Sequence, residues 1–174
     1  MKFRFISIFI FIFYIDINAT SFLTKKQPSH FNFGSGICDW GVPLYLGIDT
    51  WILRDATLGA EFTARGLITN SFYPSVLTLG INGNYHFQRI LQLPESWQLY
   101  GGGSFGLGYV PTSLAENINN FNAYRKDPIT GYFVLQVGGK YWFNRQNAIN
   151  VEIMAGSYYG IKLGITINPY EKWK

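Results

Sequence analysis

Few side chains in this sequence are equipped for chemistry, and they are widely separated. Its 174 residues hold two histidines, His30 and His86, and one cysteine, Cys38. A hydrolase of the Ser–His–acid kind needs a nucleophile, a base and an orienting acid in contact. Ser104, His86 and Glu61 are the trio that neighbouring strands could bring together. Ser104 sits on a Gly-rich strand, where no nucleophile elbow of the G-x-S-x-G kind is expected. A histidine hydrogen-bonded in a polar interior is therefore the plainer reading of His86. With two histidines, the acids Glu61 and Glu152 read as salt-bridge partners as readily as metal ligands, and neither a metal site nor a cofactor is expected. One cysteine excludes an intrachain disulfide, a multi-thiolate zinc site and a CxxC motif. Gly101-Gly102-Gly103, with Gly106 and Gly108, precede no helix whose N-terminus could cradle a phosphate, so they suit tight curvature and close packing instead.

Composition narrows the setting. Charged residues make up 14% of the chain and aromatic ones 18%, against roughly 25% charged in an ordinary soluble domain. Nineteen glycines and many Tyr, Phe and Trp against two methionines favour strands over helices. The net charge of +4 is spread thinly, with short basic pairs at Lys25–Lys26 and Arg125–Lys126, a pattern that gives no footprint for nucleic acid. Lys2 and Arg4, an apolar run from Phe5 to Ile15, and a more polar stretch ending at Ala19 read as a secretory signal peptide over residues 1–19. The run stops at Asp16, short of the roughly 20 apolar residues of a spanning helix. Residues 20–174 would form the single mature domain.

Within that domain the pattern has period 2. Leu77, Leu79, Ile81, Tyr85 and Phe87 alternate with Thr78, Asn82, Asn84 and His86. Tyr159, Ile161, Leu163, Ile165 and Ile167 alternate with Lys162, Thr166 and Asn168. Phe133, Leu135, Val137, Tyr141 and Phe143 stand opposite Thr130, Gln136 and Lys140, and Leu58, Ala60 and Phe62 opposite Thr57, Glu61 and Arg65. This alternation marks strands with one apolar and one polar face. Eight are expected, near Phe31–Cys38, Val42–Leu53, Ala56–Leu67, Val76–Phe87, Trp97–Val110, Thr130–Phe143, Ala148–Gly156 and Tyr158–Asn168. A tilted membrane-crossing strand takes about 9–11 residues, and several of these are that long. A sheet in lipid must close, because open edges would leave backbone groups unpaired. The expected fold is thus all-β, an eight-stranded antiparallel up-and-down transmembrane β-barrel.

A soluble lipid-carrying barrel also alternates, with its apolar side turned inward, but its outer face needs many charges for solubility. Here the polar faces carry mainly Gly, Asn, Thr, Ser and Gln. The ionised exceptions are Glu61, Arg65, Lys140, Glu152 and Lys162, and in a barrel this narrow they would pair across a plugged lumen. Parity of the connections puts short turns at Arg54–Asp55 and Asn144–Asn147 on the inner side. Longer loops at Ile68–Ser75 and Pro111–Ile129 fall on the outer side, and Gln88–Ser96 is long for an inner turn. The outermost loop carries Asn117, Asn119, Asn120, Asn122 and Tyr124 beside Arg125 and Lys126, a composition suited to surface exposure. Aromatic residues near strand ends, Trp40, Trp51, Phe72, Tyr73, Tyr85, Phe87, Trp97, Tyr109, Tyr132, Tyr141, Trp142, Phe143, Tyr158, Tyr159 and Tyr170, are expected to form interfacial girdles.

The segments LGINGNYHF, WQLYGGGSFGLGYV and LQVGGKYWFNRQNAINVEIMAGSYYGIKLGI resemble the small eight-stranded outer-membrane β-barrel family, which includes the OmpA/OmpX-like barrels and related barrels of Bacteroidetes-type bacteria. The resemblance implies a monomer in the bacterial outer membrane, surrounded by its lipid and inserted by the barrel-assembly machinery. It further implies an extracellular ligand, if there is one, bound through the outer loops. Such barrels commonly end on an aromatic residue that the machinery reads, whereas this chain runs past Ile167 as Asn168-Pro169-Tyr170-Glu171-Lys172-Trp173-Lys174. The resulting expectation is a non-enzymatic envelope protein with a structural or surface-interaction role. The rival readings are an outer-membrane lipid A-modifying hydrolase and a secreted soluble barrel with a lipid-like ligand. A porin-like diffusion pore would need a wider lumen.

Overall fold

A computed structural model describes residues 29–68, 72–109 and 129–169. The signal peptide expected at 1–19, the loop residues Asn117, Asn119, Asn120, Asn122, Tyr124, Arg125 and Lys126, and Tyr170 lie outside the described residues.

Eight strands follow in order: β1 (Ser29–Cys38), β2 (Val42–Leu53), β3 (Ala56–Ile68), β4 (Phe72–His86), β5 (Trp97–Tyr109), β6 (Ile129–Trp142), β7 (Asn147–Gly156) and β8 (Gly160–Ile167). Each pairs antiparallel with its sequence neighbour, and β1 pairs with β8 to close the barrel. The expected loop at Ile68–Ser75 is largely strand instead. Ile68 pairs with Phe72, Leu67 with Tyr73 and Gly66 with Pro74, after a register shift at Arg65/Gly66. A bulge there absorbs the extra residue and lets the hairpin continue. The β1–β2 turn, Asp39–Gly41, is tight for a connection on the outer side. Gly41 takes φ +103°, and a Cβ there would lie 2.7 Å from the Gly66 carbonyl oxygen, so glycine is required on both counts.

The register fixes the tilt. Stepping between paired residues from Trp97 through Tyr141, Ile149, Ile165, Phe33, Leu46, Phe62 and Leu79 returns to β5 at Leu107. One circuit therefore climbs ten residues, from 97 to 107. With a rise of about 3.3 Å per residue and strands about 4.8 Å apart, that stagger inclines the strands by about 40°. All nine residues on the path are at least 39% exposed. Leu135, Val137, Ile153, Ile161 and Leu163 extend the same outward apolar face.

The opposite parity points inward and is mostly polar. Asp49, Thr63, Arg65, Thr78, Asn84, His86, Gln136, Lys140, Asn150, Glu152, Lys162 and Thr166 are all buried. A smaller apolar core of Cys38, Trp40, Val76, Tyr132, Val134, Met154 and Tyr158 fills the end of the lumen nearest the β1–β2 and β7–β8 turns.

Candidate functional site

The lumen is the place where this chain gathers its polar side chains, and glycines create the room for them. Tyr45 on β2 lies across Gly34 of β1 and Gly164 of β8, where added Cβ atoms would collide with its hydroxyl. Its Oη can therefore donate to Asn150 Oδ1 on β7, at 2.8 Å. Tyr100 on β5 likewise crosses Gly138 of β6 to reach Glu152 Oε2 on β7, at 3.1 Å. Tyr132 on β6 fills the space that a Cβ on Gly80 would need.

These tyrosines frame the ion pairs. Lys162 Nζ lies 2.7 Å from Glu61 Oε2 and 2.8 Å from Glu152 Oε1, and 4.8 Å from the centroid of the Tyr45 ring. Lys140 Nζ pairs with Asp49 Oδ2 at 3.4 Å. Asp49 also accepts from Asn32 Nδ2 at 2.7 Å and from Asn82 Nδ2 at 2.9 Å. Asn32 accepts in turn from Thr166 at 2.7 Å and from Lys140 at 3.2 Å, and Asn150 donates to Thr166 at 2.9 Å. The chain of bonds thus runs around the lumen through β1, β2, β4, β6, β7 and β8.

Asp49 escapes the sequence reading, which finds two acids against three bases. Its signal is the alternation of Tyr45, Gly47, Asp49 and Trp51 against Leu44, Leu46 and Ile48. Adding it gives three acids, Asp49, Glu61 and Glu152, and three bases, Arg65, Lys140 and Lys162. Arg65 sits nearer the apolar core. Its NH1 donates to Thr78 Oγ1 at 2.7 Å, and its guanidinium carbon stands 4.2 Å from the Tyr158 ring centroid and 5.7 Å from that of Trp40. Between the ion pairs remains a cavity of about 20 Å³, lined among others by Asn32, Asp49, Glu61, Lys140, Glu152 and Lys162. That is room for about one water molecule.

The trio of Ser104, His86 and Glu61 does not form. His86 lies at the short-turn end, with Nε2 3.2 Å from Thr57 Oγ1 and its ring stacked against Trp51 and Tyr100 at 4.3 and 5.6 Å. Glu61 pairs with Gly80, six residues along β4 from His86, about 20 Å at the rise of a strand. Gly102-Gly103-Ser104-Phe105-Gly106 spells G-x-S-x-G but lies in mid-strand, paired with β4 and β6. The sharp strand-to-helix turn that exposes a nucleophile is therefore missing from this segment.

The expected girdles need correction too. Trp40, Tyr132 and Tyr158 are buried inside the barrel. Trp51 packs on His86 at 4.3 Å, and Trp142 on His30 at 5.2 Å. Trp51 shares the parity of Asp49, and Tyr132 and Trp142 that of Lys140, so all three turn inward. Of the aromatics expected in the girdles, Trp97 and Tyr141, in contact at 4.9 Å, are exposed on the outward face, as are Tyr109, Phe143 and Tyr159.

A closed sheet with a mostly apolar outer wall and an ionic interior has the polarity that lipid demands. The fold is that of a transmembrane β-barrel. It is similar to a de novo designed transmembrane β-barrel, with a TM-score of 0.58 and 16% identity over 83% of this chain and 97% of that one. Similarity extends to the de novo designed TMB2.3, with a TM-score of 0.54 and 12% identity over 86% and 99% of the two chains. Neisserial surface protein A matches with a TM-score of 0.49 and 11% identity, over 80% of this chain and 94% of that one. At such identities the likeness is one of fold. No protein-family model and no curated protein matches the sequence.

Proposed function

We propose that this chain is a non-enzymatic, monomeric protein of the bacterial outer membrane, of the small OmpA/OmpX-like or Bacteroidetes-type kind, whose lumen is plugged by its own side chains. Residues 1–19 serve as a cleaved signal peptide, and the barrel-assembly machinery inserts the rest. Its role is structural or in surface interaction, with the outer loop that carries Asn117, Asn119, Asn120, Tyr124, Arg125 and Lys126 meeting any extracellular ligand. One observation carries this reading: the circuit of nine exposed apolar residues encloses ion pairs that leave a cavity of about 20 Å³. The outward face suits hydrocarbon, and side chains that fill the middle of the lumen support a plugged interior.

Planar-bilayer recording on the refolded protein tests the plug. Insertion without steady conductance is the expected result, and a stable ohmic pore would overturn the plugged lumen. Fractionation of expressing cells tests the location, with the protein expected in the detergent-extracted outer-membrane fraction. Recovery from the soluble periplasm would favour the inverted, ligand-carrying barrel.

A further inference from the structure

The short-turn end of the barrel is uneven. The β2–β3 connection is Arg54–Asp55, whereas β4 and β5 are joined by ten residues, Phe87 to Ser96. That longer connection is ordered by its own bonds. Leu91 N–H donates to the Phe87 carbonyl at 2.9 Å, one α-helical turn, and Leu93 N–H donates to the Gln88 carbonyl at 3.0 Å. Gln92 ends the turn at φ 51°, the left-handed conformation typical of helix ends. Arg89 forms an ion pair with Asp55 of the adjacent turn.

Residues three and four apart share one face of a helical turn, which puts Ile90 and Leu91 on the face of Phe87. The side that Phe87 takes is fixed by the barrel. Its ring stands 5.3 Å from that of Tyr85 and covers Gly101, where a Cβ would lie 3.3 Å from it. Gly101 has the outward parity of Leu99, Phe105 and Leu107. The apolar face of the turn therefore continues the outer wall, while Arg89 turns to Asp55. Ile90 and Leu91 are 61% and 53% exposed, in an ordered turn beside Trp97 and Tyr141, aromatics of the kind that mark a membrane interface.

We propose that the β4–β5 connection is an interfacial anchor that lays Ile90 and Leu91 into the phospholipid leaflet on the short-turn side of the barrel. The proposal rests on the membrane-barrel reading above and adds a lipid-binding surface outside the strands. An amphipathic segment of this kind lies in the boundary between headgroups and acyl chains, and the Arg89–Asp55 pair holds its apolar face toward the wall. Burial of the two aliphatic side chains in that boundary removes them from water.

The test uses the full chain refolded into phosphatidylcholine–phosphatidylglycerol vesicles. Cys38→Ser preserves a donor to the Gly41 carbonyl and removes the native thiol. Single cysteines at Ile90→Cys, Leu91→Cys, Leu99→Cys and Arg145→Cys then carry an environment-sensitive fluorophore. Doxyl-labelled phosphatidylcholine should quench most emission from positions 90, 91 and 99, and aqueous iodide most emission from position 145. If position 99 is quenched by doxyl lipid while 90 and 91 behave like 145, the anchor is refuted and the membrane barrel stands. Shielding of 90 and 91 from both quenchers would assign the surface to a protein partner or a second copy, which also refutes the anchor. Absence of doxyl quenching at 99 would remove the membrane reading and the anchor with it.

Discussion

Two stretches of the same lumen hold their cations in different ways. In the middle, Lys162 stands between Glu61 and Glu152, and Lys140 against Asp49. Toward the apolar end, Arg65 is 1% exposed, lies over the Tyr158 ring and is bonded to Thr78, near Trp40 and the buried core. A lysine ammonium is a compact, strongly hydrated charge and needs carboxylates when it leaves water. A guanidinium is planar and weakly hydrated, and it stacks on rings. The neighbours of each cation therefore match its chemistry, and the cost of removing it should differ accordingly.

Lys162→Met gives the largest expected effect. It leaves Glu61 and Glu152 in the lumen without the cation between them, and breaking a buried pair in this way typically costs about 3–5 kcal/mol. Urea unfolding in detergent micelles measures it. The comparison sharpens in the triple variant Glu61→Gln, Glu152→Gln and Lys162→Met, which should recover much of the loss because no uncompensated charge remains. Equal stability of the single and triple variants would show that charge imbalance is not the cause.

Arg65→Met comes next. It loses the cation–π contacts with Tyr158 and Trp40 and the hydrogen bond to Thr78, interactions worth about 2 kcal/mol each when desolvated or charged. It also places a flexible apolar chain among apolar neighbours, so the net loss should fall below that of Lys162→Met. A loss as large as that of Lys162→Met in the same assay would break the distinction between the two stretches. Gly80→Ala should be the mildest, at about 1–2 kcal/mol of overpacking, because the new methyl meets the Tyr132 hydroxyl. Adding Tyr132→Phe should restore part of that loss. An unchanged deficit would place the strain in the backbone instead.

Much of this architecture is legible in the sequence because alternation is a local property. Strands β4, β6 and β8 announce their faces through Leu79 against Asn82, Val137 against Lys140, and Leu163 against Lys162, and the outward exposure follows. Asp49 is harder to see because Tyr45 and Trp51 share its side of β2, so the inner face there does not read as polar. The ion-pair partners are less local still. Lys162 on β8 meets Glu61 on β3 through closure and the ten-residue stagger, which accumulate over all eight pairings and are written in no single strand. The buried aromatics teach the reverse. Parity places Trp51, Tyr132 and Trp142 inside, whereas proximity to strand ends alone points to the membrane interface.

The most direct test of the central assignment is a nitroxide scan along β6 from Phe133 to Lys140 in lipid vesicles, recording collision with oxygen, which concentrates in the bilayer, and with a water-soluble nickel chelate. Oxygen accessibility should rise at Phe133, Leu135 and Val137 and fall at Val134, Gln136 and Lys140, with period 2 and little nickel contact at either set. A flat profile, or oxygen contact at the inward set, would contradict an apolar wall facing lipid around an ionic lumen.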